Sequence, residues 1–403
     1  MRKTQLGRAA TIGIGLLLVS VTMAIVPGGS AWARTSVIAL SRSKNKSCSA
    51  TIGDVGPFTG TVAALGQEQL DFAKLALKDF NAKYHTHLHL LTEDTQFVPS
   101  ITVTKVQELI SNSSVVAIQG PAASAGDDAA GPELKRAGLA AVSPSGGAGT
   151  VHVKGFKYKE ANPYPTEFSV VPQGVTEGPA VGGWLVKKLH AKRVYLIDTG
   201  ANFAIEFVQT IEGYLSAHHI PFASTVVSPT QTSFSSVISK IPAGTDYVYL
   251  GLTTASEGEL FGQQLQQAGR TTIKIFGADG LFAPTTFKIN GSYISAFAPT
   301  IRQIRADKSI VKQADRLYGT NWGTYGPPSY EAMWILANAV YNVCKSGKTP
   351  TRSNVLAQVR KTHEKTSILG RPISFNKLGY LKHPTKWIFK IENGKYVDLG
   401  EAS

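Results

Sequence analysis

The sequence has few of the residues that most α/β enzymes use for chemistry. No Gly-x-Ser-x-Gly stands as a strand-to-helix elbow, no His-Glu-x-x-His is present, and no Ser/His/Asp set falls on successive strand ends. A phosphate-cradling glycine loop with Lys-Ser/Thr is also missing, so any ATP hydrolysis would belong to a partner. These gaps speak against a hydrolase and against an ATPase. No cofactor is expected. Only two cysteines occur, Cys48 and Cys344, which allow one disulfide. Long apolar runs are missing after the first 33 residues, so no later stretch is expected to span a bilayer. The chain is basic, with a formal charge of +14, yet its lysines and arginines are scattered. Without a basic patch interleaved with aromatics, nucleic acid is not an expected partner.

The N-terminal residues do carry a pattern. Arg2, Lys3 and Arg8 precede an apolar run, Ile12 to Val26, and then Ala31-Trp32-Ala33. This is the order of a secretory signal peptide, residues 1–33, cut after Ala33. Lys46-Ser47 stands before Cys48 in place of a lipid-attachment pattern. The expected product is exported and soluble, periplasmic or at the cell surface, and in that setting Cys48 and Cys344 are expected to be bridged. Residues 34–49 read as a basic polar tail. The remaining chain of about 370 residues is too long for one simple core, so two domains are expected.

The most informative stretch is Val115 to Gly147, VVAIQGPAASAGDDAAGPELKRAGLAAVSPSGG. Its apolar run, Gly-Pro turn, short helix and second apolar run predict a βαβ unit. Both strands end in loops of small residues and hydroxyls. Open α/β sheets bind ligands at such ends, and a helix starting near Ser124 would offer N–H groups to a carboxylate. Strand–helix alternation runs from Ala50 to Val142 and starts again at Gly178, with strands predicted at 193–198, 222–227, 247–251 and 273–277. Two mostly parallel α/β layers follow. His85, His87 and His89 are placed on a solvent-facing edge strand, for want of a further metal ligand. Ser329 is predicted to cap a helix whose stripe runs from Tyr330 to Cys344. A closing strand pair is expected at 375–381 and 386–392.

Set in order, these segments resemble a family. Gly56-Pro57-Phe58-Thr59-Gly60, Glu93-Asp94-Thr95-Gln96, Gly120-Pro121-Ala122-Ala123-Ser124, Ser143-Pro144-Ser145, Gly277-Ala278-Asp279-Gly280, Gly326-Pro327-Pro328-Ser329-Tyr330 and Phe375-Asn376-Lys377-Leu378-Gly379 are similar to motifs of the leucine/isoleucine/valine-binding proteins, the type I periplasmic binding proteins of ABC importers. The resemblance implies an α/β fold of two Rossmann-like lobes with parallel central sheets joined by three crossovers. Lobe one would hold 50–171 and 303–371, lobe two 172–302 and 372–400. It further implies a monomer that closes on a small solute, an amino acid or related amine or amide, and passes it to membrane permease and ATPase subunits. The alternative use of the same fold is an extracytoplasmic sensor.

By the same resemblance, Ser124, with Ala123, would meet the ligand carboxylate, helped by Ser145, Gly146 and Gly147. Asp279 would hold the ammonium from across the cleft. Phe58, Phe203, Thr253 and Thr254 would complete the contacts. The chain departs from the family pattern at three places. Gly147 stands where a hydroxyl residue is expected, Phe203 where a tyrosine is common, and Thr253-Thr254-Ala255 replaces an aromatic-containing segment.

Overall fold

The computed structural model describes residues 48–146, 149–154 and 157–402. The segment expected to be a signal peptide, nearly all of the expected basic tail and Gly147 lie outside the described residues. Two sheets organise the rest. The first has the order β2-β1-β3-β4-β7, all parallel, built from β1 (Ser49–Gly56), β2 (His87–Asp94), β3 (Val115–Gln119), β4 (Ala140–Ser143) and β7 (Glu167–Ser169). A small hairpin, β5 (Thr150–Lys154) and β6 (Lys157–Glu160), lies between β4 and β7 in the chain. The central strands β3 and β4 are buried along their whole length, as strands with helices on both faces must be.

Helices α1 (Ala63–Tyr84), α2 (Pro99–Ser111) and α3 (Ser124–Ala137) make the crossovers of this half. Pro99 opens α2, where its missing N–H does no harm. The second sheet has the order β16-β15-β12-β11-β10-β8-β9. Its parallel strands are β8 (Val194–Asp198), β9 (Phe222–Val226), β10 (Tyr247–Gly251), β11 (Lys274–Gly277) and β12 (Tyr293–Ala296). Helices α4 (Asn202–Ala217), α5 (Ser235–Lys240) and α6 (Ala255–Gln267) alternate with them. Where the alternation was expected to start again, at Gly178, the chain is wound as two π-helical stretches, Gly178–Gly182 and Trp184–Lys188. After β12 the chain returns to the first half as α7 (Lys308–Tyr318), α8 (Gly326–Lys345) and α9 (Arg352–Val359). It passes through the short strands β13 (His363–Glu364) and β14 (Ile373–Ser374), then ends in the second sheet as β15 (Lys386–Glu392) and β16 (Lys395–Ala402). Three passages therefore join the halves.

Four expectations need correction. The closing hairpin is β15 with β16, not 375–381 with 386–392; residues 375 and 381 make only an isolated bridge. Its two-residue loop is Asn393-Gly394, both at positive φ (51° and 72°), the signal for a tight hairpin turn. Ser329 does not cap α8. The helix begins three residues earlier at Gly326-Pro327-Pro328, and Ser329 lies inside it, donating to the Gln69 carbonyl. The burial of α8 is not a single stripe either. From Gly326 to Met333 every residue is buried, because α1 and the first sheet enclose the helix. His85 is no strand residue but the left-handed C-cap of α1, while His87 and His89 are exposed on the edge strand β2.

A cap supplied from elsewhere holds α8 in place. The carboxylate of Glu68 on α1 accepts hydrogen bonds from the N–H groups of Gly323, Tyr325 and Gly326, at 2.7, 3.0 and 2.6 Å. An anion at a helix N-terminus is stabilising, and the contact fixes Tyr325 at the helix start. Cys48, just before β1, is bridged to Cys344 near the end of α8, with Cα atoms 5.7 Å apart. The bridge closes a loop of nearly 300 residues, for which chain entropy alone would supply roughly 5–6 kcal/mol.

Behind the first sheet lies a polar chain. Gln119 donates to Ser329 Oγ (2.7 Å) and reaches Asp54 Oδ1 (3.4 Å), while Asp54 Oδ2 has no partner. Burial pushes the Asp54 carboxyl from 3.8 up to about 7, against the smaller opposing effects of Lys74 and Gln119. The folded protein thus holds a proton there that the unfolded chain releases above pH 4. The stability this contributes is complete below the unfolded value and is lost as pH rises through about 7. Relative to Asp54→Asn, the wild type is expected to lose roughly 2–4 kcal/mol between pH 4 and pH 8, measured by denaturant melts at each pH. Equal pH profiles for the two would show that Asp54 ionises freely. Separately, the Cys48→Ser, Cys344→Ser double variant is expected to unfold about 2–5 kcal/mol more easily. Non-reducing mass spectrometry of the parent should find no free thiol.

Candidate ligand-binding cleft

The carboxyl ends of the parallel strands in both sheets face one cavity of about 160 Å³. From the first half, Pro57, Val62, Leu65, Gln69, Phe97, Ala123, Ser124, Ser145 and Tyr325 line it. From the second half come Pro172, Asn202, Phe203, Phe207, Thr253, Asp279, Gly280 and Phe297. Of the ten residues expected at a ligand, six line this cavity together: Ala123, Ser124, Ser145, Phe203, Thr253 and Asp279. Gly146 lies beneath it, where its N–H donates to Ser143 Oγ at 2.8 Å. A side chain at 146 would strike the Asp127 carboxylate. Thr254 is the N-cap of α6 and forms a capping box with Glu257. Phe58 is buried against Gly56, and its N–H donates to Asp94 Oδ1 at 2.9 Å. Gly147 is outside the described residues.

On the first side, the wall is the start of α3. Its N-cap, Ala123, has no side-chain acceptor, so no cap of its own covers the helix start. Ser145 Oγ donates to the Ala122 carbonyl (2.8 Å) and accepts from Gln69 Nε2 (2.6 Å), which holds the loop after β4 against the loop after β3. The two halves touch across the cleft: Asn202 Nδ2 at the start of α4 donates to Asp128 Oδ2 at 2.9 Å.

On the second side, Asp279 follows β11 in a short 3-10 turn. Gly280 packs so close to the carbonyls of Leu252 and Thr253 that a Cβ would sit within 3 Å of both, so this turn requires glycine. Asp279 is not a lone acid. Its Oδ1 is 3.4 Å from Lys386 Nζ, and its Oδ2 accepts from the Tyr325 hydroxyl at 3.0 Å. Lys386 also pairs with Glu177 at 2.7 Å, and neither side chain is exposed at all. The other Glu177 oxygen accepts from Tyr249 and Ser295, at 2.9 and 2.8 Å. The Lys386 ammonium lies 4.3 and 5.0 Å from the ring centres of Phe207 and Phe297, cation–π contacts in a desolvated setting. Burial raises the Asp279 carboxyl, Lys386 opposes that rise, and Glu177 adds to it. Both tyrosine hydroxyls are driven far up by burial and the neighbouring acids, so they stay protonated donors.

The sequence reading missed Lys386, Glu177 and Tyr325. Each sits one strand or one passage away from the motifs that were legible. Glu177 opens the π-helical segment after the first passage, and Lys386 opens β15 after the third. A lysine at the head of an apolar strand, Lys386-Trp-Ile-Phe, was the available signal.

The periplasmic binding protein family model matches residues 49–395, and the chain belongs to that family. Among solved structures, a leucine-binding protein of Thermotoga maritima shares 18% identity, with a TM-score of 0.77 over 88% of this chain and 99% of that one. A branched-chain amino acid transporter substrate-binding protein of Streptococcus pneumoniae, in complex with isoleucine, shares 19% identity at TM-score 0.73, over 88% and 99% of the two chains. A solute-binding protein of an ABC transporter from R. palustris, in complex with benzoate, shares 16% at TM-score 0.76, over 88% and 96%. No curated protein matches by sequence. The fold expectation of two α/β halves around parallel sheets thus stands. No helix among the described residues is long and apolar enough to cross a membrane.

Removing one member of a buried ion group leaves the others uncompensated, at a cost of about 3–5 kcal/mol. Lys386→Met is therefore expected to lower stability by that order, read as a shift in denaturation midpoint. Lys390→Met, on the same strand but with a half-exposed side chain, should change little and serves as the control.

Proposed function

We propose that this protein is the exported solute-binding component of an ABC importer, which captures a small organic carboxylate between its halves and presents it to a membrane permease. The single observation that carries the reading is the cavity itself. It is walled by both halves at the carboxyl ends of both parallel sheets, with a helix start on one side. The isoleucine and benzoate bound by similar proteins differ in most respects but share a carboxylate. Ser124 and Ala123 at the start of α3 supply the hydroxyl and N–H chemistry a carboxylate takes, while Ser145, which donates to the Ala122 carbonyl, holds the loop after β4 beside them.

The lobes proposed are residues 50–171 with 303–371 and 172–302 with 372–400. A solute touching both favours the closed state by its differential affinity. Binding is the work proposed for the cleft, in keeping with the family to which the chain belongs. Export follows from the leader-like residues 1–33. Sensing by the same closure is the second reading; it differs only in the partner that reads the closed state.

The test is a thermal-shift screen of the mature chain against amino acids, aliphatic acids and aryl acids. A true ligand at a hundredfold excess over Kd is expected to add about 2.7 kcal/mol to stability. If none of these classes shifts the melting midpoint, the carboxylate reading is wrong.

A further inference from the structure

A second cavity, of about 20 Å³, lies beside α3 and against the first and third passages, with Gln173 and Tyr380 in its wall. It has room for about one water. Asp127 and Asp128 of α3 and Glu167 of β7 line it together. Among the described residues none of the three makes an ion pair. Glu167 Oε1 is buried without a hydrogen-bond partner, and Asp127 is pressed so close to Gly146 that no side chain fits there. The described neighbours bring no positive charge to the pair. Tyr164 feels Glu167 and Asp128, and Tyr380 feels Glu167 and Asp127 together with Glu160 of β6 and Glu206 of α4. The exposed Arg360 donates to the Pro165 carbonyl at 3.0 Å instead.

Two buried carboxylates that share a cavity without a cation do not both ionise. The positive end of α3 favours charge on Asp127, but burial outweighs it. Burial, and after it the neighbouring acids, raise both carboxyls, Glu167 from 4.5 to about 8. The pair also stands where the two halves meet. Asn202, at the start of α4 in the second half, donates to Asp128 at 2.9 Å.

We infer that closing the cleft takes up a proton at the Asp127–Glu167 pair, so that the closed state gains on the open one as the medium becomes acidic. This inference rests on the closure reading above. With the halves apart, α4 leaves the start of α3, water reaches the acids, and they ionise near their ordinary values. On closing they come under cover with no cation, and one of them is held neutral. A group raised in the closed state favours closure fully below its open-state value, and that preference is lost as pH rises through the closed-state value, about 8 for Glu167. Between the two, one proton changes the closed-to-open ratio about tenfold per pH unit. A solute carboxylate at the start of α3 strengthens the coupling, because an ionised Asp127 in the same turn repels it.

The experiment is small-angle X-ray scattering of the mature, solute-free chain at pH 5, 7 and 9. The wild type is expected to have a smaller radius of gyration at pH 5 than at pH 9. Asp127→Asn with Glu167→Gln should keep the pH 5 radius throughout. Glu331→Gln is the control, because Glu331 is likewise raised by burial to about 8 but lies within the first half; it should follow the wild type. Should the double variant not fold, Glu167→Gln alone is expected to move the midpoint of the wild-type transition down by at least one pH unit. A double variant that expands like the wild type, or an unmoved midpoint in Glu167→Gln, overturns the inference. So does calcium chloride that restores the pH 5 radius to the wild type at pH 9, which would give the cavity to a metal ion. A wild-type radius that ignores pH but falls with isoleucine or benzoate overturns the inference and leaves closure standing. A radius that ignores all three removes the closure reading as well.

Discussion

A single buried cation governs the second half of this protein. Lys386 sits between two carboxylates that reach it from different parts of the chain, one just after the first passage between the halves and one at the end of a central strand. Burying three charges is costly, and mutual attraction alone seldom offsets it. Here the remaining acceptor positions are filled by Tyr249, Ser295 and Tyr325. The group is therefore nearly satisfied from within, and it joins the segment after the first passage, the cleft wall and the strand after the third passage into one unit. Tyr325 carries the connection to the first half, where Glu68 fixes its backbone.

The fold was largely legible because its elements announce themselves locally. Apolar runs such as Val115–Ile118 and Tyr247–Gly251 are too short for helices and bounded by turn residues, so they read as buried strands. The order of strands and helices then leaves few topologies. What escaped were features decided by distant partners. Ser329 looked like a cap because serine favours that place, but the cap is Glu68, more than 250 residues away. The stripe assigned to α8 suggested one buried face, whereas helix and sheet cover it on several sides. The closing hairpin was set one element too early, although Asn393-Gly394 marks its turn.

The candidate site divides along the same line. Residues in small-residue loops at strand ends could be placed from local pattern and family resemblance, and six of them line the cavity. Their electrostatic setting could not. Asp279 reads as a free anion in a motif of four residues, and only the folded chain brings Lys386 within 3.4 Å. Charge compensation in a buried site is a property of the pair, and a pair separated by more than a hundred residues leaves no mark on either neighbourhood.

The cysteine bridge has a consequence for motion. Cys48 and Cys344 both pack against the core of the first half, and the link does not straddle any of the three passages. It staples the leading strand to the last long helix of the first half and ties neither to the second. For the closure proposed above, redox state and opening amplitude are thereby decoupled: the bridge toughens one half without locking it to the other.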